Sequence, residues 1–179
     1  MGLDSRRVAV LAEDQYEDLE LWYPYYRLRE AGAEVKIVGS GRAPSFSSKH
    51  GYPAKADLDA KEASAQDFDA VVIPGGYSPD LMRRSPDMVR FVREMNDAGK
   101  PVAAICHAGW MLVSAKIVQG RRATCFYSVR DDLEAAGARW EDAPVVVDGN
   151  LITSRTPADL PEFCKALLEQ LSRAPAAVG

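Results

Sequence analysis

The clearest indication of the fold is the stretch from Val102 to Ser114, which reads VAAICHAGWMLVS. Its first four residues, 102–105, form a short apolar run with the length and composition of a buried parallel strand. An apolar segment of helical character follows Cys106-His107-Ala108-Gly109. The sequence therefore predicts a strand that turns into a helix, with a thiol at the turn.

Cys106 is the first candidate for a reactive residue. The small residues Ala108 and Gly109 allow a sharp bend, and the first N–H groups of the following helix have no intrahelical partner. These donors and the helix dipole favour a thiolate, so we expect the pKa of Cys106 to fall below the ~8.5 of a free thiol. A buried structural cysteine is the alternative; the position at a strand-to-helix turn favours a nucleophile.

Length and composition predict a single domain over residues 1–179, with frayed ends at 1–6 and 173–179. The net charge of -4 gives no electrostatic footprint for nucleic acid or an acidic membrane. No apolar run approaches the ~18 residues of a membrane span, and the N-terminus lacks the apolar core of a signal peptide. We therefore expect a cytoplasmic protein with no nucleic-acid or membrane partner.

Cysteine and histidine usage argues against disulfides and metals. The cysteines, Cys106, Cys125 and Cys164, are odd in number and widely spaced, which fits reduced thiols, and the last two have the character of structural residues. Neither a CxxC nor an HExxH motif occurs, and the two histidines are His50 and His107. We predict no metal site and no cofactor.

Apolar runs alternate with helical patterns along the chain. Strands are predicted at 7–12, 34–39, 69–73, 102–105 and 123–127, followed by a hairpin at 144–153. Helices are predicted at 17–31, 60–66, 85–98, 108–119, 128–137 and 157–171. Pro24 lies inside the first helical pattern and should kink or restart that helix. The alternation predicts an α/β sandwich with a mainly parallel sheet and helices on both faces.

Several polar groups are expected at the carboxyl edge of this sheet, where ligands bind in open α/β folds. The acidic residues Glu17, Asp18 and Glu20 begin the first predicted helix; they either stabilise its N-terminus or bring a carboxylate to a site. His50 lies in a weakly patterned segment and is either a loop side chain or part of a pocket lining.

Pro-Gly-Gly at 74–76 ends the strand at 69–73. It is at least a tight turn. Because the turn follows a parallel strand, the backbone N–H groups of Gly75 and Gly76 can face a neighbouring site. There they would suit an oxyanion that develops near Cys106.

Six ordered motifs resemble those of the PfpI family over nearly the whole chain. They are YEDLEL with YPY at 16–25, KHGY at 49–52, PGG at 74–76, AICH at 104–107, RDD at 130–132, and VDGN at 147–150 leading into Ser154-Arg155. This family of the class I glutamine amidotransferase-like superfamily has members called intracellular cysteine proteases, glyoxalases or deglycases. The resemblance implies a flavodoxin-like three-layer sandwich.

The resemblance also implies a set of site residues. Cys106 would be the nucleophile on a strained turn, with Glu20 close to the sulfur and the backbone of Gly76 and His107 as oxyanion donors. A neighbouring subunit would supply an acidic partner for His107. Asp80 stands where relatives carry Glu and is one methylene shorter. Since a carboxylate beside a cysteine has to share a proton or be held neutral, a protonated Glu20 could hydrogen-bond the thiolate.

Two further positions depart from the family pattern. A tyrosine that lies near the nucleophile in some relatives is Phe126 here, and the adjacent Tyr127 is a candidate pocket residue. Where peptidase relatives have His-Pro after Ser-Arg, this chain has Thr156-Pro157. Each change removes or moves a polar group.

Three functions follow as hypotheses. The first is a cysteine-dependent, cofactor-free enzyme in stress protection that converts small α-oxoaldehydes such as methylglyoxal to lactate, as in glyoxalase III or deglycase-like proteins. The second is an intracellular cysteine peptidase or amidase, with His107 as base and Asp80 as its orienter. The third is a redox-sensing stress protein or holdase whose state is recorded on Cys106. A glutaminase would need a distant His-Glu pair and is set aside.

Aromatic residues predict self-association. The run at 22–26, Trp-Tyr-Pro-Tyr-Tyr, places large rings on more than one face of a helix. Exposed aromatic rings often anchor interfaces, so we expect a homodimer or a higher homo-oligomer. In the alternative, the rings pack under the loop at 42–57.

Overall fold

The computed structural model describes residues 2–173. The strands are β1 (Arg7–Ala12), β2 (Glu34–Gly39), β3 (Ser45–Ser47), β4 (Pro53–Lys55), β5 (Leu58–Asp59), β6 (Ala70–Ile73), β7 (Val102–Ile105), β8 (Arg122–Ala123), β9 (Arg139–Trp140), β10 (Val145–Asp148) and β11 (Leu151–Ser154). The helices are α1 (Asp18–Glu30), α2 (Ser78–Met82), α3 (Pro86–Asp97), α4 (Gly109–Ala115), α5 (Arg130–Ala135) and α6 (Leu160–Arg173).

The central sheet has the strand order β10-β11-β7-β6-β1-β2-β5. Its pairs are parallel except for β10 with β11, which form the predicted antiparallel hairpin. Every residue of β6 and β7 is buried, as expected for strands covered on both faces. The predicted mainly parallel sheet is confirmed.

Helices cover both faces of the sheet. Leu21 of α1 packs in one apolar cluster with Val10 of β1, and α6 belongs to the same layer. Phe91 of α3 packs in a second cluster with Leu11, and α2, α4 and α5 complete that layer. Because neighbouring residues of a strand face opposite sides, β1 contributes to both cores. The result is the predicted three-layer sandwich.

The chain reverses its winding direction at β1, which pairs with β2 on one side and with β6 on the other. In open α/β sheets, the carboxyl ends of the strands at such a switch point border a ligand crevice. The loops that follow β1, β6 and β7 meet at this edge.

Local signals define two of the helices well. α3 begins after Ser85, whose hydroxyl accepts a hydrogen bond from the N–H of Met88 at 3.4 Å, with Pro86 in the first turn. The helix predicted at 85–98 is therefore confirmed, with Ser85 as its cap. α1 continues through Pro24 without a restart.

Three predicted elements are wrong in extent or type. The helix predicted at 60–66 is replaced by a turn at 60–62 and a 3-10 turn at 65–67. The strand predicted at 123–127 is limited to β8, because the N–H of Phe126 donates to the carbonyl of Cys106 instead of extending a ladder. The helix predicted at 108–119 ends at Ala115, where Lys116 adopts a left-handed conformation with φ 60°.

The two ends of the chain differ from the prediction of fraying. Leu3 is buried and its N–H donates to the carbonyl of Ala31 at 2.7 Å, while Arg6 is buried in an ion pair with Asp69. The predicted fraying of 1–6 is thus wrong for 3–6. At the other end α6 reaches Arg173, and the prediction for 174–179 lies outside the described residues.

Among residues 2–173, no helix combines the length and the apolar character needed to cross a bilayer.

Candidate active site

Cys106 lies at the end of β7 in a strained backbone conformation. Its φ of 62° is left-handed, a region that residues with a Cβ adopt at a cost of about 1–3 kcal/mol. A 3-10 turn at 106–108 follows and leads into α4. The side chain is only 8% exposed. Strain of this kind concentrates at functional sites, and the structure places the thiol on the predicted strand-to-helix turn.

Glu20 of α1 is fully buried beside this turn. Its Oε2 accepts a hydrogen bond from the N–H of Gly75 at 2.7 Å. A Cβ on Gly75 would lie 2.5 Å from that oxygen and 2.8 Å from Cβ of Cys106, so the position requires glycine. Oε1 receives no N–H or O–H donor from the described residues. The Cys106 thiol is the polar group that adjoins the carboxyl.

The surroundings hold Glu20 in its protonated form near neutral pH. Burial raises its pKa to about 8, against the opposing effect of the Gly75 N–H. The negative charge of Glu17 also raises the pKa, and the positive charge of Lys49 lowers it. The carboxyl thus exchanges its proton close to physiological pH.

Burial also raises the pKa of Cys106, and negative charge on Glu20 raises it further. The backbone N–H groups of His107 and Gly76 act in the opposite direction. The predicted lowering of the thiol pKa is therefore wrong, because the helix-start donors are outweighed by burial and by a neighbouring carboxylate. Negative charge on either group disfavours ionisation of the other, so the two groups ionise as a coupled pair.

His107 presents both ring nitrogens to polar partners. Nδ1 lies 3.2 Å from Sγ of Cys106, and Nε2 lies 3.4 Å from Oγ of Ser128. The ring stacks on Phe126 with centroids 4.7 Å apart and lies 5.2 Å from the Trp110 ring. Burial lowers the pKa of His107, and the charge of Lys49 lowers it further, so the imidazole is neutral at pH 7.

Gly75 and Gly76 differ in whether their backbone N–H groups are available to an oxyanion. The N–H of Gly75, predicted as an oxyanion donor, is engaged with Glu20. The N–H of Gly76 and that of His107 both act on the sulfur. Gly76 has φ 74°, and a Cβ there would lie 2.5 Å from the carbonyl oxygen of Gln15. Gly76 and His107 are thus the donors available to an oxyanion.

Two ion pairs join the start of α1 to the segment 48–52. Lys49 Nζ pairs with Glu17, and His50 Nδ1 lies 2.7 Å from Asp18. Ser48 Oγ donates to the same Asp18 at 2.6 Å. Glu17 and Lys49 therefore lie beside the site, whereas His50 is an exposed side chain held by Asp18.

Asp80 and Tyr127 contact side chains other than that of Cys106. Asp80 of α2 pairs with Arg84, one turn along the chain. Within residues 2–173, the ring nitrogens of His107 meet Cys106 and Ser128 rather than Asp80. A contact between Asp80 and His107 across a subunit interface stays a prediction. Tyr127 is 76% exposed and packs its ring on Phe126.

The remaining cysteines share the burial and the raised pKa of Cys106 but not its left-handed backbone. Cys125 and Cys164 are free and buried, and burial raises the pKa of each to about 12. Both thiols therefore stay protonated at neutral pH, in keeping with structural roles. In the described part of the chain, no group of three or more His, Cys, Asp or Glu side chains could hold a metal ion.

Sequence reasoning missed two neighbours of the site. Lys49 belongs to the KHGY motif at 49–52, but nothing local in the sequence indicates that it pairs with Glu17. Ser128 begins the helix predicted at 128–137, but the sequence does not indicate that its hydroxyl reaches His107 across 21 residues. Neither contact leaves a signal in a single sequence.

The fold and this site define an α/β protein that presents a cysteine on a strained turn next to a buried carboxyl. The chain belongs to the DJ-1/PfpI family, whose sequence model matches residues 6–170. The resemblance and the flavodoxin-like fold are thereby confirmed.

Relatives have names that suggest enzyme activity of PfpI type. A protein of Pyrococcus abyssi named as a deglycase is 44% identical, over 92% of this chain and 99% of its own length. YraA of Bacillus subtilis, named as a candidate cysteine protease, is 40% identical over 93% and 99%. A two-domain protein of Anabaena variabilis with DJ-1/ThiJ/PfpI-like and ferritin-like domains superposes with a TM-score of 0.91 and 44% identity. That match covers 97% of this chain and 50% of the Anabaena chain.

Proposed function

We propose that this protein is a cysteine-dependent enzyme that converts small α-oxoaldehydes, with methylglyoxal as the type substrate, to 2-hydroxy acids without a cofactor. The observation that carries the proposal is the fully buried Glu20 carboxyl, with a pKa of about 8, adjoining the Cys106 thiol. A carboxyl that exchanges its proton near pH 7 suits a reaction in which a proton moves between two carbons.

The first step is addition to the aldehyde. The thiol proton of Cys106 passes to the Glu20 carboxylate as the sulfur bonds to the aldehyde carbon, and the carbonyl electron pair moves to oxygen. The backbone N–H groups of Gly76 and His107 stabilise this alkoxide. The alkoxide takes the proton of Glu20, which gives a hemithioacetal and leaves Glu20 as a carboxylate.

The second step moves hydrogen from one carbon to the next. The Glu20 carboxylate removes the proton from the former aldehyde carbon, forming an enediolate. Glu20 then returns the proton to the neighbouring carbon, while the hydroxyl proton on the first carbon passes to the oxygen on the second, and the product is the thioester of lactate with Cys106. Water hydrolyses the thioester to lactate, so the overall reaction consumes one water and requires no oxidant.

The narrow access to the sulfur supports a small substrate. Cys106 is 8% exposed, and Phe126 and His107 stack beside it. A small aldehyde can reach such a sulfur more easily than a folded polypeptide. The deglycase name of the P. abyssi relative also fits chemistry at a carbonyl compound.

A cysteine peptidase is the second candidate. It is favoured by the 3.2 Å separation between Cys106 Sγ and His107 Nδ1 and by the name of YraA. Peptide hydrolysis also needs an acid that protonates the leaving amine. Asp80, the candidate orienter of His107, is paired with Arg84, which weakens this alternative.

We place the enzyme in cytoplasmic stress protection as a homo-oligomer. Support for self-association comes from α1, where Tyr23 and Tyr26 are exposed. Trp22 packs against Tyr52 of the 42–57 loop, as the alternative proposed, and stacks on Tyr26. The rings therefore divide between the two arrangements.

The test measures lactate formed from methylglyoxal, in a buffer free of thiols and primary amines. We expect many lactates per subunit from the wild-type protein and none from Cys106→Ser. Counting lactate avoids confusing turnover with reversible capture of aldehyde by the thiol. Absence of lactate from a folded protein whose Cys106 is still alkylated quickly would overturn the proposal. A peptide-substrate screen would then separate the peptidase from the redox sensor.

A further inference from the structure

Ser128 is held in place by the nucleophile turn itself. It lies in the 3-10 turn at 127–129, and Val129 closes that turn by donating to the carbonyl of Phe126 at 2.9 Å. The N–H of Phe126 donates to the carbonyl oxygen of Cys106 at 3.1 Å. The backbone that bears the Ser128 hydroxyl is thus tied directly to the backbone that bears the sulfur.

The His107 ring has little freedom to turn between these two partners. Phe126 stacks on one side at an interplanar angle of 27°, and Trp110 packs at 60°. Only the edge nitrogens remain for polar contacts, Nδ1 towards the Cys106 sulfur and Nε2 towards the Ser128 hydroxyl. The 3.4 Å separation between Oγ of Ser128 and Nε2 of His107 is at the long end of the range for a hydrogen bond.

A neutral imidazole carries one N–H, so the partner of one nitrogen decides what the other can do. With the hydrogen on Nδ1, the ring donates to the sulfur and stabilises a thiolate. With the hydrogen on Nε2, Nδ1 accepts from S–H and stabilises a thiol. Whatever selects the tautomer of His107 therefore biases the ionisation of Cys106.

We propose that Ser128 is a positioning residue, whose hydroxyl donates to Nε2 of His107 and so selects the tautomer whose Nδ1–H donates to the Cys106 sulfur. The inference rests on the proposed function only in taking Cys106 as the nucleophile. It assigns to a side chain of the same subunit the orienting role that the resemblance gives to an acidic residue of a neighbouring one.

The test reads the imidazole and the thiol rather than turnover. The protein has two histidines, so ¹⁵N-labelled histidine gives two sets of ring signals, which His50→Gln assigns. We expect pyrrole-like Nδ1 and pyridine-like Nε2 shifts for His107 in the wild-type protein. In Ser128→Ala these shifts should move towards the opposite tautomer, and Ser128→Thr should restore them.

The rate of Cys106 alkylation by iodoacetamide, measured as a function of pH, gives the second readout. Loss of one hydrogen bond corresponds to roughly a threefold to tenfold change in an equilibrium. We therefore expect the midpoint in Ser128→Ala to rise by roughly 0.5–1 pH unit, with recovery in Ser128→Thr. Ser172→Ala, which removes an exposed hydroxyl at the end of α6, should leave shifts and midpoint unchanged.

Unchanged His107 shifts together with an unchanged midpoint in Ser128→Ala would overturn the proposal, as would a threonine variant that behaves like alanine. Ser128 is exposed, so its truncation should not disturb folding; Ser128→Gly serves as a second truncation. Because neither readout involves an aldehyde, failure here is distinguishable from failure to form lactate.

Discussion

Glu13 and Glu20 are two buried carboxyls on either side of the loop after β1, and their surroundings are opposite. Glu13 is 2% exposed, and its Oε1 accepts from Arg42 Nη2 at 2.7 Å and from the N–H of Asp14 at 2.9 Å, while Ser40 donates to Oε2. Glu20 is fully buried and accepts one N–H, from Gly75. Burial alone therefore does not mark a reactive carboxyl. At Glu13 a cationic partner and several donors surround the carboxyl oxygens, whereas at Glu20 their scarcity lets burial favour the protonated form.

The largest expected effect is on lactate formation, which should depend on Glu20 and not on Glu13. Glu20→Gln should reduce lactate formation by about 10²–10⁴-fold, since an amide cannot accept the proton from carbon. Alkylation of Cys106 should persist but follow one ionisation instead of the two expected for a coupled pair. Product counting and the alkylation profile measure these effects. Retention of wild-type lactate rates by Glu20→Gln would assign the proton transfer to another group.

The second expected effect concerns stability and pH. The folded-state pKa of Glu20, about 8, lies above its ordinary value of 4.5. The folded protein thus binds this proton more tightly than the unfolded chain does. The stabilisation is fully present below pH 4.5 and is lost as pH rises through about 8. Relative to Glu20→Gln, the wild-type free energy of unfolding should fall by roughly 1 kcal/mol per pH unit in this window.

Urea unfolding at several values between pH 5 and pH 8 measures that difference. Glu13→Gln is the matched control, because Glu13 lies in the same loop region with its charge already compensated. A wild-type curve parallel to that of Glu20→Gln would show that Glu20 ionises normally in the folded protein.

The smallest expected effect is on Glu13 itself. Glu13→Gln removes the charged acceptor of Arg42 and should lower the free energy of unfolding by about 1–3 kcal/mol. Lactate formation should stay within about twofold of the wild-type rate, since the side chain does not contact the thiol. Urea unfolding and the lactate assay together check this. A large loss of activity at unchanged stability would show that Glu13, like Glu20, contributes to the reaction.

Much of the fold is predictable because its signals are local. The strands β1, β6 and β7 are covered on both faces and therefore read as continuous apolar runs. Ser85 with Pro86 defines the start of α3. By contrast, α2 has five residues, too few for a helical period to show. The segment after β8 has the sequence character of a strand, but the backbone N–H of Phe126 donates to the carbonyl oxygen of Cys106 instead of to a neighbouring strand.

The candidate site was predictable only in part. The strand-to-helix turn and the family motifs predict that Cys106, His107 and Glu20 belong to the site. The contact of Ser128 with His107 spans 21 residues and depends on how two turns pack. The pKa of the thiol was predicted with the wrong sign, because local reasoning counts the donors at the helix start and cannot count the burial and the carboxyl that tertiary packing adds.

The left-handed backbone at Cys106 sets folding against chemistry at one position. Glycine adopts φ 62° without the steric cost borne by a side chain, so folding stability considered alone would favour a protein without the sulfur. The proposed reactivity of the thiol is the reason to keep cysteine at this position despite the steric cost. On the proposed function, a lineage released from selection for catalysis would be expected to replace Cys106 with glycine.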